Sequence, residues 1–497
     1  MNKEVLSPEQ KYAIQKFQRG ENLFITGSGG TGKTTLIKHL IHSANIDKKK
    51  VQVCALTGCA AVLLNCGART IHSWSGIRLC KGEETKIIES VTQSKRLVKS
   101  WRSIKILIVD EVSMMSKKIF DILNEIGKRV RRSSLSFGGI QVIFTGDFFQ
   151  LPPVSSSMTE EMGAQDFCFE SLDWYNVFKQ ENHIELTTVF RQKDIQYIEI
   201  LNEIRKGELS EKNSQILEKC VNRPFIINNH TNEQWIPTKL FPTRAKADYI
   251  NATMFKTLDE DEYHFEFTCK NDCKTIVDSG KLLSAEQLLK CERMTQQERE
   301  YEIDNLKANI PCDQLLKLKK GATVLCRVNI DVDLGICNGS QGKIENIEEQ
   351  GQGIIVKFIN GITKRIDPHW WQSEEYPCIA IKQYPLSLAW AVTIHKIQGA
   401  TLSMAEIDIG NSIFEYGQTY VALSRVQSLD GLYLSAFNPA KIRANPKVIE
   451  FNKRIDKRID KRILEEKEEK EEKEEKEEKE EKEEKEEEKT NIKIVHL

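Results

Sequence analysis

No apolar run in this chain approaches the length that spans a bilayer. The opening stretch, MNKEVLSPEQKYAIQKFQRG, lacks the apolar core of a secretory leader, and its acidic residues argue against a transit peptide. An intracellular protein is expected, with nucleus and cytoplasm left undistinguished. The 13 cysteines are scattered, and near pairs such as Cys269/Cys273 have no second pair of His or Cys at zinc spacing. Reduced thiols are expected in place of a zinc site. A strong net charge is also missing, since the formal total is −1. That balance hides an asymmetry. Residues 465–489 carry 17 Glu and 8 Lys, and removing them from the chain's 72 basic and 73 acidic residues leaves 64 against 56, a net of +8. A mildly basic globular part is compatible with a polyanionic partner.

The length of 497 residues implies two or three domains. Over 1–180, apolar runs at Asn22–Thr26, Val51–Thr57, Ile104–Val109 and Gln141–Thr145 alternate with helical segments. That pattern predicts an α/β domain with a parallel sheet covered on both faces. Thr238–Phe241 is a further strand, and one helix is expected around Ser284–Leu306. GATVLCRVN, NGSQGKIENI, GQGIIVKFING and ITKRID are short β runs between Gly and Asn turns, as in a small barrel over 321–380. From Pro385 the α/β character returns. The second α/β domain is therefore expected over 181–251 and 381–450, with 252–380 inserted. At the C-terminus, KRIDKRIDKRIL places Ile455, Ile459 and Ile463 four apart on one helical face, whereas the EEK repeat that follows places Glu four residues before Lys without an apolar stripe, so 451–497 is expected to be a charged, solvated helix or a disordered tail.

The chemistry concentrates in a few loops. GSGGTGKT, the residues Gly27, Ser28, Gly29, Gly30, Thr31, Gly32, Lys33 and Thr34, lies between a predicted strand and a predicted helix that begins with Thr35. In that context glycine-freed N–H groups and a helix N-terminus surround a triphosphate, Lys33 reaches the β- and γ-phosphates, and Thr34 ligates Mg²⁺. ATP and Mg²⁺ are the cofactors expected. IKILIVDEVSMM ends a buried strand at Asp110 and Glu111, the first suited to hold Mg²⁺ through its water shell and the second to deprotonate an attacking water. No NKxD guanine-recognition motif occurs, which argues against a GTPase. GDFFQLPPV offers Gln150 to sense the γ-phosphate. Arg191 in VFRQ, Arg244 in FPTR and Arg425 in YVALSRV are candidate cationic fingers that would couple hydrolysis to domain closure.

These segments, with LSPEQ, ALTGCAAVLL, TIHSWSGI, ELTTVFRQ, FPTRAKADYIN, LAWAVTIHKIQGATL and YVALSRVQSLDGLYL, resemble the Pif1-like family of superfamily 1 DNA helicases over residues 6–437. The resemblance implies two RecA-like P-loop domains with ATP between them, an SH3-like β-barrel inserted in the second, and 5′-to-3′ movement on single-stranded DNA. It implies action on forked or structured duplex DNA in replication, repair, recombination or telomere maintenance. Carried over by position, it assigns Gln10 to adenine, Gln150 to coupling of nucleotide and DNA, and Arg191 and Arg425 to the arginine fingers. Thr57, His72, Trp74, His395 and Gln398 match motifs that line the family's DNA path. Gly339 and Gly342 sit in NGSQG, similar to the NGxxG turn of the inserted barrel.

Aromatic faces grip single strands without sequence preference, which favours Trp74, Phe148 and Phe149 as stacking candidates; the first domain's core is the other place for His72 and Trp74, and one of the two phenylalanines is expected in the core. The segment 76–100 is expected to act as a wedge. A monomer is expected. Two other readings stay open at this point: an ATP-switched nucleic-acid remodeller that does not unwind, and an RNA helicase on the same scaffold.

Overall fold

The structure is a computed structural model, and it describes residues 6–64, 66–78, 80, 82–153, 166–225, 235–270, 285–331, 333–348, 353–373 and 376–455. Residues up to Ala444 form one compact unit, and a second runs from Asn445. The EEK repeat and most of the KRID run lie outside the described residues.

The first sheet contains β1 (Leu23–Gly27), β2 (Val51–Ala55), β3 (Arg69–Thr70), β4 (Ile106–Asp110), β5 (Gln141–Thr145) and β6 (His183–Leu186) in the order β3-β2-β4-β5-β1-β6. Every pairing in it is parallel. β1 and β4 are buried along their whole length, the pattern of strands covered on both faces. Pairing sets Ile25 opposite Thr145 and Val109 opposite Phe144, so the carboxyl ends of β1, β4 and β5 finish side by side. Their loops therefore converge. Two strands escaped sequence reading. β3 is too short to show a pattern, and β6 carries the sheet past the boundary expected at 180 by pairing with β1.

The second parallel sheet has the order Ala391–Thr393, Thr238–Phe241, Ala405–Ile409, Leu432–Phe437. Its core takes in Tyr197, Ile200, Leu201 and Ile204 from the helix Ile195–Lys206, and Tyr420 to Leu423 from the helix Gln418–Leu423. The fold class is as expected: α/β, with two parallel sheets covered by helices, in keeping with two RecA-like domains.

Between the strands of the second sheet runs a five-stranded antiparallel sheet, in the order Thr363–Ile366, Ile354–Phe358, Gln341–Ile347, Thr323–Cys326, Leu386–Leu388. It stands where the small barrel is expected, but its limits differ. Leu386–Leu388 closes one edge by pairing with Thr323–Cys326. His369–Gln372 and Ala380–Gln383 instead join Thr268–Lys270 in a separate three-stranded sheet. Gly339, at φ +94, brings the NGSQG turn against Thr401 of the second parallel-sheet region: a Cβ there would lie 2.5 Å from the Thr401 carbonyl oxygen. Gly342 lies in the strand Gln341–Ile347.

The single helix expected at Ser284–Leu306 is two, Ala285–Glu292 and Gln296–Asn309. Thr295 starts the second with a reciprocal capping box to Glu298, which ends any continuous helix. The segment 76–100 holds the helix Glu84–Gln93 and the start of the helix Lys95–Ser103, divided at Ser94, whose hydroxyl caps Leu97.

Candidate active site

The phosphate-loop sequence folds as its glycines require. Gly27 has φ +146, and a Cβ there would lie 2.5 Å from the Leu186 carbonyl oxygen of β6; at Gly30 it would lie 2.6 Å from Cβ of Arg191. Only glycine lets the loop pass this close to its neighbours. Thr31 Oγ1 donates to the Ser28 carbonyl at 2.9 Å. The helix Lys33–Ile46 follows, with Thr34 exposed and Thr35 half-buried in its first turn. The Lys33 ammonium donates to the carbonyls of Gly27 and Ser28 at 2.7 and 3.1 Å. Burial pushes its pKa down, against the pull of Asp147, Glu111 and Asp110.

Asp110 ends β4 in the interior, where it accepts from the Thr145 hydroxyl and, at 2.9 Å, from the Glu111 backbone N–H. Burial raises its pKa. Glu111 turns the chain sharply in the left-handed region, at φ +57. Its carboxyl is pushed up to about 7, first by burial and then by Asp110, against Lys33 and Arg425. A base poised near neutrality suits proton abstraction from water. Two adjacent carboxylates that interact with the Lys33 ammonium are the kind of oxygen donors that a hard divalent cation takes. The residues present thus fit a Mg²⁺-triphosphate.

Arg191 and Arg425 meet at the same loop. A Cβ on Gly29 would lie 3.5 Å from a terminal guanidinium nitrogen of each. Arg191 also donates to the Ser424 carbonyl at 3.1 Å, and burial and the nearby Arg425 push its pKa down to about 9, which leaves it charged at neutral pH. Arg425 is 2% exposed and is held by the Val421 carbonyl and the Ser424 hydroxyl. Arg244 does not join them: it is exposed and pairs with Asp248 at 3.1 Å.

Gln10 is 2% exposed and closes a capping box with Ser7, while its amide nitrogen approaches the Thr31 and Gly32 carbonyls at 3.4 Å; it braces the loop. Gln150 is buried with its amide 3.5 Å from Asp147. Trp74 is a core residue, 2% exposed, with its ring 4.6 Å from that of Trp101. Phe148 and Phe149 are both buried, the first in an aromatic cluster with Phe24 and Phe169 and the second under the Arg205 guanidinium. Apolar side chains at the end of a buried strand have core volume to fill, and that outweighs any surface role. Thr57 Oγ1 accepts from the Ala60 N–H at 3.2 Å, at the start of the helix Gly58–Leu64. His72 is half-buried and His395 exposed. Gln398, expected on the DNA path, donates to a Glu111 carboxylate oxygen at 3.2 Å.

Other groups of the site were missed in the sequence. Phe190 is half exposed, and its ring would lie 3.5 Å from a Cβ on Gly32, beside Gln10. Its signal was an aromatic directly preceding Arg191. Tyr420 and the ion pair of Asp147 with Arg205 gave no local signal, because their partners are remote in sequence. A cavity of about 290 Å³ is lined by Gly58, Arg69, Ser73, Asn309, Arg327 and Trp370 among others.

Among the described residues no helix is long and apolar enough to cross a membrane, and no cluster of His, Cys, Asp or Glu could hold a metal by itself.

A profile for PIF1-like helicase matches residues 5–215, and one for DNA helicase Pif1, 2B domain, matches residues 303–347. The chain is 32% identical over 455 residues to the ATP-dependent DNA helicase PIF1 of Xenopus laevis, covering 91% of this chain and 65% of that protein's length. The crystal structure of Pif1 helicase from Candida albicans is similar, with 32% identity and a TM-score of 0.67 over 90% of this chain and 99% of the other. Pif1 helicase from Bacteroides, in complex with ADP-AlF3 and single-stranded DNA, is similar at 27% identity and a TM-score of 0.57, over 90% and 97% of the two chains. By sequence and by fold, the chain belongs to the PIF1-like helicase family.

Proposed function

We propose that this protein is an ATP-dependent DNA helicase that moves 5′-to-3′ along single-stranded DNA and opens forked or structured duplex. The observation that carries this reading is the approach of Arg191 and Arg425 to Gly29, which brings cationic groups packed with the second sheet to the phosphate loop of the first. The relatives' names and the bound ligands of the Bacteroides protein support it.

Loop N–H groups and Lys33 would hold the phosphates, and Thr34 and Asp110 would hold Mg²⁺, which supplies neutralisation of phosphate charge when bound. Glu111 takes the proton of the attacking water. Arg191 and Arg425 stabilise the charge that develops, and they complete the site only when the second half is drawn onto the first. Hydrolysis is thereby tied to domain movement. Phe190 offers a flat apolar face to the purine. The cavity beside Gly58 offers Arg69, Arg327 and Trp370 to a strand's phosphates and bases. The helices in 84–103 and the antiparallel sheet, an SH3-like barrel in the family's terms, are the strand-guiding elements. Each base-pair step opened costs about 1.4 kcal/mol of stacking.

The test is ATP turnover with single-stranded DNA or RNA, alongside unwinding of duplexes with a 5′ or a 3′ tail. The proposal expects DNA-stimulated turnover and opening of the 5′-tailed duplex. Turnover without unwinding would indicate a remodeller, and stimulation by RNA alone an RNA helicase.

A further inference from the structure

Gln398 belongs to a loop of the second sheet that reaches across to the first. The loop follows the strand Ala391–Thr393 and is tightly wound: Ile397 N–H donates to the Thr393 carbonyl, and Gln398 N–H to the His395 carbonyl. Ile397 is fully buried, whereas His395 and Lys396 are exposed. Arg327, from the antiparallel region, donates to the Lys396 carbonyl at 3.2 Å. At the far end, Gly399 packs on Leu63 of the helix Gly58–Leu64: a Cβ there would lie 2.9 Å from Leu63 Cδ1. From the middle of this turn the Gln398 amide nitrogen donates to Glu111 Oε2 at 3.2 Å. A carboxylate only accepts, so the amide nitrogen faces it.

The loop thus exposes a cationic and an imidazole side chain on its outside and holds the candidate base on its inside. We propose that Gln398 is a positioning residue for Glu111, held in place by the turn to which it belongs. This rests on Glu111 being the base, as proposed above. The physical reason is rotational: Glu111 has a flexible side chain on a left-handed backbone, and a donor on one oxygen sets the direction of the other. A misplaced base loses rate without losing nucleotide affinity.

The test uses the full chain with Gln398→Met, which keeps the length and removes the donor, and Gln398→Asn, whose amide is too short to reach. Turnover at saturating single-stranded DNA, KM for ATP, and DNA affinity by fluorescence anisotropy without nucleotide are measured for each. Hydrogen bonds to charged groups set the scale, so kcat is expected to fall about tenfold in both variants. KM and DNA affinity are expected to stay within about twofold, far below that scale. Weaker DNA binding with kcat unchanged at saturation overturns the proposal and returns Gln398 to the DNA path. Unchanged kcat and affinity overturn it too, as does a fall in both together. Failure of the helicase reading is seen separately, as absence of DNA-stimulated turnover in the unmutated chain.

Discussion

Arg205 closes on Asp147 with three hydrogen bonds of 3.0–3.2 Å, its Nε shared between both carboxylate oxygens. Asp147 follows β5 in the first half, and Arg205 lies near the end of the helix Ile195–Lys206 in the second. Glu185 of β6 accepts from the same guanidinium at 3.2 Å, and the Phe149 ring lies 4.7 Å from it. Burial opposes the charge on Arg205, but Asp147, Tyr420 and Glu185 outweigh it and hold its pKa up. The two halves are thus joined by a buried ion pair whose carboxylate lies three residues before Gln150.

Removing one partner of this pair leaves the other charge stranded in the interior. Arg205→Met should lower stability by about 3–5 kcal/mol, read from urea or thermal unfolding. Replacing Asp147 by Leu in the same chain should recover much of that loss, because the stranded carboxylate is then gone. A single variant as stable as the parent would show that the pair contributes little.

The arginines beside Gly29 should matter for rate far more than for strand binding. Arg425→Ala and Arg191→Ala should each cut ATP turnover by about 10³-fold or more, the scale of an arginine finger. Anisotropy with a labelled single strand should show near-parental affinity. Turnover within threefold of the parent in both variants, far below that scale, would remove them from the reaction.

Glu111 and Lys33 should separate chemistry from binding. Glu111→Gln keeps the shape of the side chain and removes the base, so fluorescent ATP and DNA should still bind while most turnover disappears. Lys33→Ala should weaken nucleotide binding and turnover together. Near-parental turnover in Glu111→Gln would assign the base elsewhere.

Phe190 provides a test that the sequence motifs alone did not suggest. Phe190→Ala should weaken ATP binding by the worth of an aromatic–base stack, about 1–3 kcal/mol, or roughly 5- to 150-fold. Phe190→Trp should keep most of the affinity. Equal nucleotide affinity across all three chains, measured by equilibrium titration, would exclude stacking there.

Local sequence settled what local physics controls. A glycine loop between an apolar strand and a helix needs no distant partner to form its backbone, so the phosphate loop and the Asp110–Glu111 strand end were legible, as was the alternation of strand and helix that gives two parallel sheets. Tertiary structure decided whatever depends on which remote groups share a space. Trp74 reads as a stacking residue until Trp101 is seen against it, and Phe148 and Phe149 until the core around them is counted. The strand His183–Leu186 carries too few residues to declare its sheet, and only pairing with β1 places it. Gln398, expected from its motif on the DNA path, bonds to Glu111, a residue 287 positions away, because chain folding across two sheets and not spacing along the chain sets that 3.2 Å contact.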